Sequence, residues 1–209
     1  MDIDKFLPAQ PPQLLLVVSG SSGVGKDAVL NRMKEMELPF AYVVTATTRE
    51  CREGEVDGIP YHFVSREQFR EMIDDGEMLE WATVYDHYYG VPLMAVRKSL
   101  STGQDVVIKV DVQGAATLRK AVPDAVLVFI QPPSMEELER RLRNRDSETA
   151  EELATRLGKA EEEYEQLPLF DYVLTSYPDR IDDVVAQIQA IIVAEKSKVH
   201  PRVLRIKAQ

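Results

Sequence analysis

The sequence lacks the features of a disulfide-linked, secreted or membrane-spanning protein. Its one cysteine, Cys51, excludes a disulfide within the chain and indicates a reducing, cytoplasmic compartment. No apolar run approaches the roughly 20 residues that a helix needs to span a bilayer. Residues 1–13 lack the basic start and apolar stretch of a secretion signal, and their acidic, proline-rich composition predicts a disordered segment.

Basic residues are also scarce, because 25 Lys and Arg face 35 Asp and Glu, for a formal net charge of −10. Such a surface repels polyanions and argues against nucleic-acid or membrane partners. The arginines are nevertheless clustered between residues 140 and 156 and again at Arg49 and Arg52. The clusters predict a focused pocket for a small anion, although a solvated helix surface is the alternative for any single arginine.

Apolar runs typical of buried strands alternate with segments that have helical spacing. Continuous runs rich in β-branched residues predict strands at 14–18, 42–46, 105–110, 125–130 and 171–175. This alternation predicts an α/β fold, in which a parallel sheet is flanked by helices on both faces. The length of 209 residues suits one sizeable domain.

Two capping boxes, Ser134 with Glu137 and Thr149 with Glu152, predict helix starts in the second half of the chain. A last long helix is predicted from Ile181 onward. After the second box, apolar residues at spacings of four and three predict one core-packing stripe, formed by Leu153, Leu157, Ala160, Tyr164 and Leu167.

Residues 47–91 differ from the rest, with frequent turn residues and short aromatic strands. They predict a small mixed α/β subdomain inserted between two strands of the main sheet. The other predicted parts of this single domain are a core (14–46 and 92–196), a mobile arginine-rich lid (140–157) and two tails (1–13 and 197–209).

The stretch GSSGVGK, residues 20–26, matches the phosphate-binding pattern G-x-x-x-x-G-K. Its glycines let backbone N–H groups converge on phosphate oxygens, and the next helix directs its positive end at the same anion. Lys26 adds a charge for the β- and γ-phosphates. Because the pattern follows a buried strand, it predicts a nucleotide site rather than a chance turn. The expected nucleotide-binding residues are Gly20, Ser21, Ser22, Gly23, Val24, Gly25, Lys26, Asp27 and Ala28.

Asp27 occupies the position where such loops normally carry Ser or Thr. The usual hydroxyl is a neutral ligand for the magnesium that accompanies the nucleotide. A carboxylate can also bind magnesium, but it repels the phosphates when the metal is absent. Asp27 is therefore a predicted magnesium ligand, and helix capping is its alternative role.

Several downstream motifs carry a family resemblance. They are TATTRECREGEVDGIPYHFVSREQF (45–69), GEMLEWATVYDHYYGVP (76–92), KVDVQGA (109–115), FIQPPSMEELERRLRNRDSE (129–148) and RLGKAEEEYE (156–165). From Leu14 to about Glu195 the chain resembles a guanylate kinase of the nucleoside monophosphate kinase group, with a P-loop core. The resemblance implies ATP-dependent phosphorylation of GMP and dGMP, with magnesium as cofactor and ADP released.

The chemistry of the acceptor side agrees with this resemblance, because phosphoryl transfer needs two anions to be neutralised. Arg49 and Arg52 lie three residues apart and can both bind one phosphate, while Tyr61 and Tyr89 can donate hydrogen bonds to it. The resemblance assigns these four residues to the phosphate of GMP. The alternative is a surface ion pair beside two packed tyrosines.

Glu80 is expected to recognise the guanine base. A carboxylate accepts from the adjacent N1–H and 2-amino donors of guanine, and adenine lacks that pair of donors. An ordinary carboxylate at a strand edge is the alternative. The resemblance adds further expected substrate-binding residues: Thr45, Glu55, Val91 and Asp111.

The resemblance also supplies the expected catalytic residues, which are Lys26 with the lid residues Arg141, Arg145 and Arg156. Such arginines would stabilise the charge of the transferring group. No general base is required, because the acceptor is already an ionised phosphate.

Four residues depart from the family pattern. Besides Asp27, Lys109 stands where the family has an acid, and Ser176 stands where an asparagine lies beside adenine. Val91 replaces a Ser or Thr that donates to guanine, which should reduce discrimination by roughly 1–3 kcal/mol. The two charge changes are predicted to be linked, with Lys109 pairing with Asp27 or with phosphate.

Two other functions stay open at this stage. A non-catalytic guanylate-kinase-like interaction module is disfavoured by the intact Lys26 and lid arginines. A kinase of a different phosphorylated acceptor is disfavoured by Glu80 and Asp111. The oligomeric state is not readable from the sequence.

Overall fold

The computed structural model describes residues 12–52, 54–84, 86–143 and 150–206, with side chains from residue 153 in the last range. The strands in these ranges are β1 (Leu15–Gly20), β2 (Phe40–Tyr42), β3 (Thr45–Thr47), β4 (Tyr61–Phe63), β5 (Met78–Val84), β6 (His87–Pro92), β7 (Asp105–Lys109), β8 (Val126–Gln131) and β9 (Tyr172–Thr175). The helices are α1 (Lys26–Glu35), α2 (Arg66–Asp74), α3 (Leu93–Leu100), α4 (Val112–Ala121), α5 (Met135–Arg143), α6 (Ala150–Tyr164) and α7 (Ile181–Lys196).

The main sheet has five parallel strands in the order β2-β7-β1-β8-β9. Both faces are covered, because Leu16 and Val18 of β1 pack in the cluster that includes α1 and α7. The alternate residues Leu15 and Val17 pack in the cluster that includes α3 and α4. Burial on both faces explains the continuous apolar runs, and the predicted α/β fold with a parallel sheet is confirmed.

The phosphate-binding loop connects β1 to α1 at the carboxyl edge of this sheet. Gly20 ends β1 with a φ of 137°, and a Cβ there would lie 2.1 Å from the Ile130 carbonyl oxygen of β8. A Cβ at Gly23 would lie 2.6 Å from Leu142 Cδ2. Close packing therefore requires glycine at both positions.

The predicted strand 42–46 is wrong as a single strand. Strand β2 ends at Tyr42 in the main sheet, and β3 begins at Thr45 in a second sheet. Val43 donates the last hydrogen bond to β7, from its N to Val107 O at 3.0 Å. The chain thus changes sheets inside one apolar run, which periodicity does not reveal.

The second sheet spans residues 45–92 and is mixed, in the order β4-β3-β6-β5. Helix α2 covers it through Phe69, which packs with Ala46 and Met78. A capping box of Ser65 with Gln68 begins α2. This small sheet supports the segment that carries the predicted phosphate arginines.

Helices α5 and α6 pack on each other beside the loop. Ser134 Oγ accepts from Glu137 N at 3.2 Å, as its predicted cap requires. The cluster between the helices confirms the stripe residues Leu153, Leu157 and Ala160. Tyr164 packs on Phe129. The predicted stripe is wrong for Leu167, because α6 ends at Tyr164 and Leu167 begins a short 3-10 helix. The cluster between α5 and α6 consists of Leu138 and Leu142 with Leu153, Leu157 and Ala160. The predicted cap at Thr149 lies outside the described residues.

The chain after α7 packs on the side of the sheet away from the loop. Arg202 donates to the buried carboxylate of Glu195 at 2.8 Å and to Ala125 O at 3.0 Å. Leu204 and Ile206 pack against the cluster that contains α4. Residues 197–206 therefore belong to the fold. No helix in the described ranges is long and apolar enough to cross a bilayer.

Candidate functional site

A cleft of about 430 Å³ lies between the carboxyl edge of the main sheet and the second sheet. The glycine loop lines one side, and Arg49 and Arg52 with Tyr61 and Tyr89 line the other. The two predicted phosphate-binding groups therefore face one shared space. This arrangement allows two phosphorylated ligands to meet end to end.

Lys26 lies at the centre of the donor side. Its Nζ donates to Gly20 O at 2.5 Å and to Ser21 O at 3.0 Å, which holds the ammonium over the loop. Burial lowers the pKa of Lys26. The cleft is lined by the other predicted loop residues except Ser21 and Val24, whose side chains are buried.

Asp27 and Lys109 form an ion pair at the floor of the cleft, as the sequence predicts. Lys109 ends β7 and its side chain is 9% exposed, whereas Asp27 in the first turn of α1 is 63% exposed. Burial alone would lower the pKa of Lys109, but Tyr61 and Asp27 raise it above its usual value. The buried ammonium therefore stays charged.

On the acceptor side, Glu55 positions the arginines. Its two carboxylate oxygens accept from Arg49 at 2.8 and 2.9 Å, and one of them also accepts from Arg52 N at 2.8 Å. These bonds hold the pKa of Glu55 below its usual range. The Tyr61 ring packs edge to face against Tyr89 at 5.9 Å, and the guanidinium of Arg49 lies 5.5 Å from its centre.

Glu80 supplies a buried acceptor at the inner end of the cleft. Glu80 is only 3% exposed, and its Oε2 has no hydrogen-bond partner within the described part of the chain. Burial and the nearby Asp111 raise the pKa of Glu80 to about 8. A Cβ at Gly114 would lie 2.8 Å from Glu80 Oε2, so glycine there makes room for the carboxyl group.

Asp111 and Thr45 complete this part of the lining. Asp111 caps α4 by accepting from Gly114 N at 2.9 Å, while burial raises its pKa. Val91 is not brought into the cleft, because its fully buried side chain packs in the core with α3 and α4. The effect of Val91 on base discrimination stays a prediction.

The lid arginines divide into three cases. Arg156 lines the cleft and donates to Ser22 Oγ at 3.4 Å. Arg141 is directed elsewhere, because it donates to Val24 O at 2.9 Å and Ser176 O at 2.7 Å. Arg141 thus contacts the loop backbone, and its contact with the triphosphate stays a prediction. Arg145 lies outside the described residues.

Two residues of α6 that were not predicted to be site residues, Lys159 and Glu163, also line the cleft. Together with Arg156 they are spaced three and four apart, which places them on one helix face beside the apolar stripe. That spacing was available in the sequence. Burial raises the pKa of Glu163, and the charge of nearby Lys26 opposes this shift.

Comparisons with known proteins agree with this geometry. Residues 13–195 match the family model described as Guanylate kinase. The chain is 45% identical over 200 residues to "Guanylate kinase 2, chloroplastic/mitochondrial" of Oryza sativa subsp. japonica, covering 95% of this chain and 70% of that protein. It is 45% identical over 186 residues to a guanylate kinase of Caldanaerobacter subterraneus subsp. tengcongensis, covering 89% of each.

A solved structure is similar over the same region. The crystal structure of guanylate kinase from Anaplasma phagocytophilum has a TM-score of 0.74 and 32% sequence identity, and the match covers 90% of this chain and 89% of that one. The glycine loop, the second sheet and the buried Glu80 all lie inside the matched length. The chain belongs to the guanylate kinase family.

Proposed function

We propose that this chain transfers the γ-phosphoryl group of ATP to GMP or dGMP and releases ADP and the diphosphate. The observation that carries this proposal is the shared cleft, with the glycine loop on one side and Arg49 and Arg52 on the other. The family membership supports the same reaction. An interaction module without catalysis would not need these paired cationic sites.

The cleft residues act mainly by positioning and charge neutralisation. On the donor side, the loop N–H groups and Lys26 bind the β- and γ-phosphates, and Arg156 and Lys159 line the approach. On the acceptor side, Arg49 and Arg52 orient the phosphate of GMP. One of its oxygens attacks the γ-phosphorus while the bond from that phosphorus to the ADP oxygen breaks, so no proton needs to be removed.

Glu80 selects the base in this proposal. Its buried Oε2 needs a hydrogen-bond donor, and guanine offers N1–H and the 2-amino group side by side. Adenine presents an acceptor in place of N1–H and has no 2-amino group, so in this orientation it offers no donor to the ionised carboxylate that guanine favours. The preference for guanine therefore follows from one buried carboxyl group beside Asp111.

The residues of the cleft fit a magnesium ion that is bound chiefly by the nucleotide. In the described ranges no group of three or more His, Cys, Asp or Glu is placed to hold a metal. Magnesium commonly uses one or two carboxylates together with phosphates and water. Asp27 is exposed at the loop and would be the protein ligand, and the ion would neutralise phosphate charge when bound.

We also propose a cytoplasmic enzyme whose partners are GMP and ATP rather than nucleic acid or membranes. The formal net charge of −10 supports weak binding to polyanions, and the single exposed Cys51 supports a reducing compartment. Cell fractionation with tagged chain would test the location. Recovery in a membrane or organelle fraction would contradict it.

A coupled assay of ADP release tests the proposed reaction directly. GMP, dGMP, AMP and UMP should be compared as acceptors, with and without magnesium. We expect turnover with GMP and dGMP, little with AMP or UMP, and strong dependence on magnesium. Equal rates with all four acceptors would contradict the role of Glu80. Saturable ATP binding without any acceptor-dependent ADP release would favour the interaction module.

A further inference from the structure

Lys109 lies at the junction between the two sides of the cleft. Its Nζ pairs with Asp27 Oδ1 on the donor side. The same atom lies 4.3 Å from the centre of the Tyr61 ring on the acceptor side. Arg49 approaches that ring as well, at 5.5 Å, so two cations contact one aromatic side chain of the second sheet.

The charge of Lys109 is placed where an incoming phosphate needs it. The residue lines the cleft although its side chain is 9% exposed, so the ammonium is directed into the cavity. An ammonium group has three N–H donors, and the contacts with Asp27 and Tyr61 use two of them. A phosphate that enters between Lys26 and Arg49 therefore meets Lys109 on its way.

Asp27 would weaken phosphate binding if its charge were uncompensated. It follows Lys26 directly and faces the same cleft. Pairing with Lys109 neutralises this carboxylate and restrains the long lysine side chain. A carboxylate has about four lone-pair sites, so Asp27 could still help to hold a metal while paired with Lys109.

We propose that Lys109 binds the phosphate of the acceptor nucleotide on the side that faces the donor, and that Asp27 positions Lys109 for this contact. The inference rests on the proposed function and extends it, because Arg49, Arg52, Tyr61 and Tyr89 otherwise form the whole acceptor-phosphate set. It assigns a binding role to a residue that departs from the family pattern.

A purely structural role is the competing explanation, because Lys109 also contacts Tyr61 and could simply hold the second sheet in place. The two explanations differ in their dependence on the phosphate. A phosphate contact affects binding of GMP but not of guanosine, whereas a displaced sheet weakens binding of both. Comparing these two ligands in one variant separates the explanations.

The experiment is calorimetric titration of Lys109→Met with GMP and with guanosine, without ATP or metal. We expect the Kd for GMP to rise roughly 10- to 100-fold, the range for loss of a charge-assisted hydrogen bond. The Kd for guanosine should change less than about threefold. Lys98→Met, on the exposed face of α3, is the matched control and should match the unmodified chain.

Two results would overturn the proposal. One is an unchanged Kd for GMP in Lys109→Met, and the other is an equal rise for GMP and guanosine. If the unmodified chain itself failed to bind GMP, the proposed function would fail instead. Thermal melting of each variant shows whether it is folded before titration.

Asp27→Asn provides a second test in which Lys109 itself is unchanged. If Asp27 positions Lys109, the variant should bind GMP roughly three- to tenfold more weakly and guanosine normally. In the Lys109→Met background the same substitution should not weaken GMP binding further. Tighter GMP binding in both backgrounds would mean that Asp27 only repels phosphate, and the positioning role would be wrong.

Discussion

Two buried glutamates differ in their charge state, one in the cleft (the front of the molecule) and one on the side of the sheet away from the glycine loop (the back). Glu80 in the cleft is 3% exposed and Glu195 behind the sheet is 0% exposed. The pKa of Glu80 is raised to about 8 by burial and Asp111, whereas the pKa of Glu195 is lowered to about 2 despite its burial. Equal burial therefore produces opposite protonation.

The neighbours explain the difference. Glu195 accepts hydrogen bonds from Tyr172 at 2.7 Å, Lys198 at 2.7 Å and Arg202 at 2.8 Å, so its charge is fully compensated. Glu80 faces another carboxylate, and its Oε2 accepts no hydrogen bond within the described ranges. Glu195 therefore needs no ligand to compensate its charge, whereas Glu80 Oε2 can accept a hydrogen bond from a substrate.

The largest expected effect comes from the front. Lys26→Ala removes the cation held over the loop and should lower turnover by roughly 10³-fold or more. The melting temperature should stay close to that of the unmodified chain, because the loop backbone and core remain. The ADP-release assay and thermal melting measure both quantities. A folded Lys26→Ala variant with normal turnover would contradict the donor-site assignment.

Glu80→Gln should reduce the preference for GMP over AMP by about 10- to 100-fold in kcat/KM. The amide oxygen still accepts from one guanine donor, but the amide NH2 faces the other donor, so one hydrogen bond is replaced by repulsion. Glu77→Gln, an exposed change just before β5, is the control and should keep the preference. An unchanged GMP-to-AMP ratio in Glu80→Gln would refute base selection by this residue.

The ion pair between Asp27 and Lys109 can be tested by changing both of its charges. Asp27→Ser and Lys109→Asp each break the ion pair, and the double variant has the loop hydroxyl and strand acid that the family resemblance implies. We expect the double variant to be about tenfold more active than the product of the single effects. Strict multiplicativity in the ADP-release assay would show that the two positions act independently.

At the back, Arg202→Met should lower the free energy of unfolding by about 2 kcal/mol, because it leaves a buried carboxylate short of a partner. Turnover should not change. Arg205→Met is the matched control, since its pair with Asp124 involves a side chain that is 78% exposed, and it should lower the free energy of unfolding much less than Arg202→Met does. Equal losses of unfolding free energy in Arg202→Met and Arg205→Met, measured by urea denaturation, would contradict the distinction between the buried and the exposed ion pair.

The pH dependence of this loss has a definite sign. The pKa of Glu195 is lowered on folding to about 2, so its ion pairs stabilise the fold above the ordinary value of 4.5. This contribution is lost as the pH falls from about 5 towards 2. The difference in stability between the unmodified chain and Arg202→Met should therefore shrink over that range.

The smallest effect concerns the proton on Glu80. With a pKa of about 8 the free protein holds roughly 0.9 proton there at pH 7. Guanine favours the ionised carboxylate, so guanosine binding should release most of that proton and tighten as the pH rises from 6 to 8. Titration at pH 7 in buffers with different ionisation enthalpies measures the release. No buffer dependence would contradict this assignment, and Glu80→Gln should abolish the effect.

The sequence predicts much of this architecture because its strongest patterns are local. Strands buried on both faces are continuous apolar runs, and the glycine loop follows β1 at the sheet edge. Tertiary partners are less predictable. The change of sheet after Tyr42 leaves the apolar run unbroken, and the engagement of Arg141 with Val24 O depends on how α5 packs. The packing of the tail through Arg202 likewise involves residues far apart in sequence.

The central claim is that donor and acceptor phosphates occupy one cleft. A compound in which five phosphates join adenosine to guanosine tests this most directly, by calorimetry and by displacement of labelled ATP and GMP. We predict that one molecule binds per chain and displaces both nucleotides, and that Lys26→Ala and Arg49→Ala each weaken its binding. Two molecules bound per chain, or displacement of one nucleotide alone, would contradict the shared cleft.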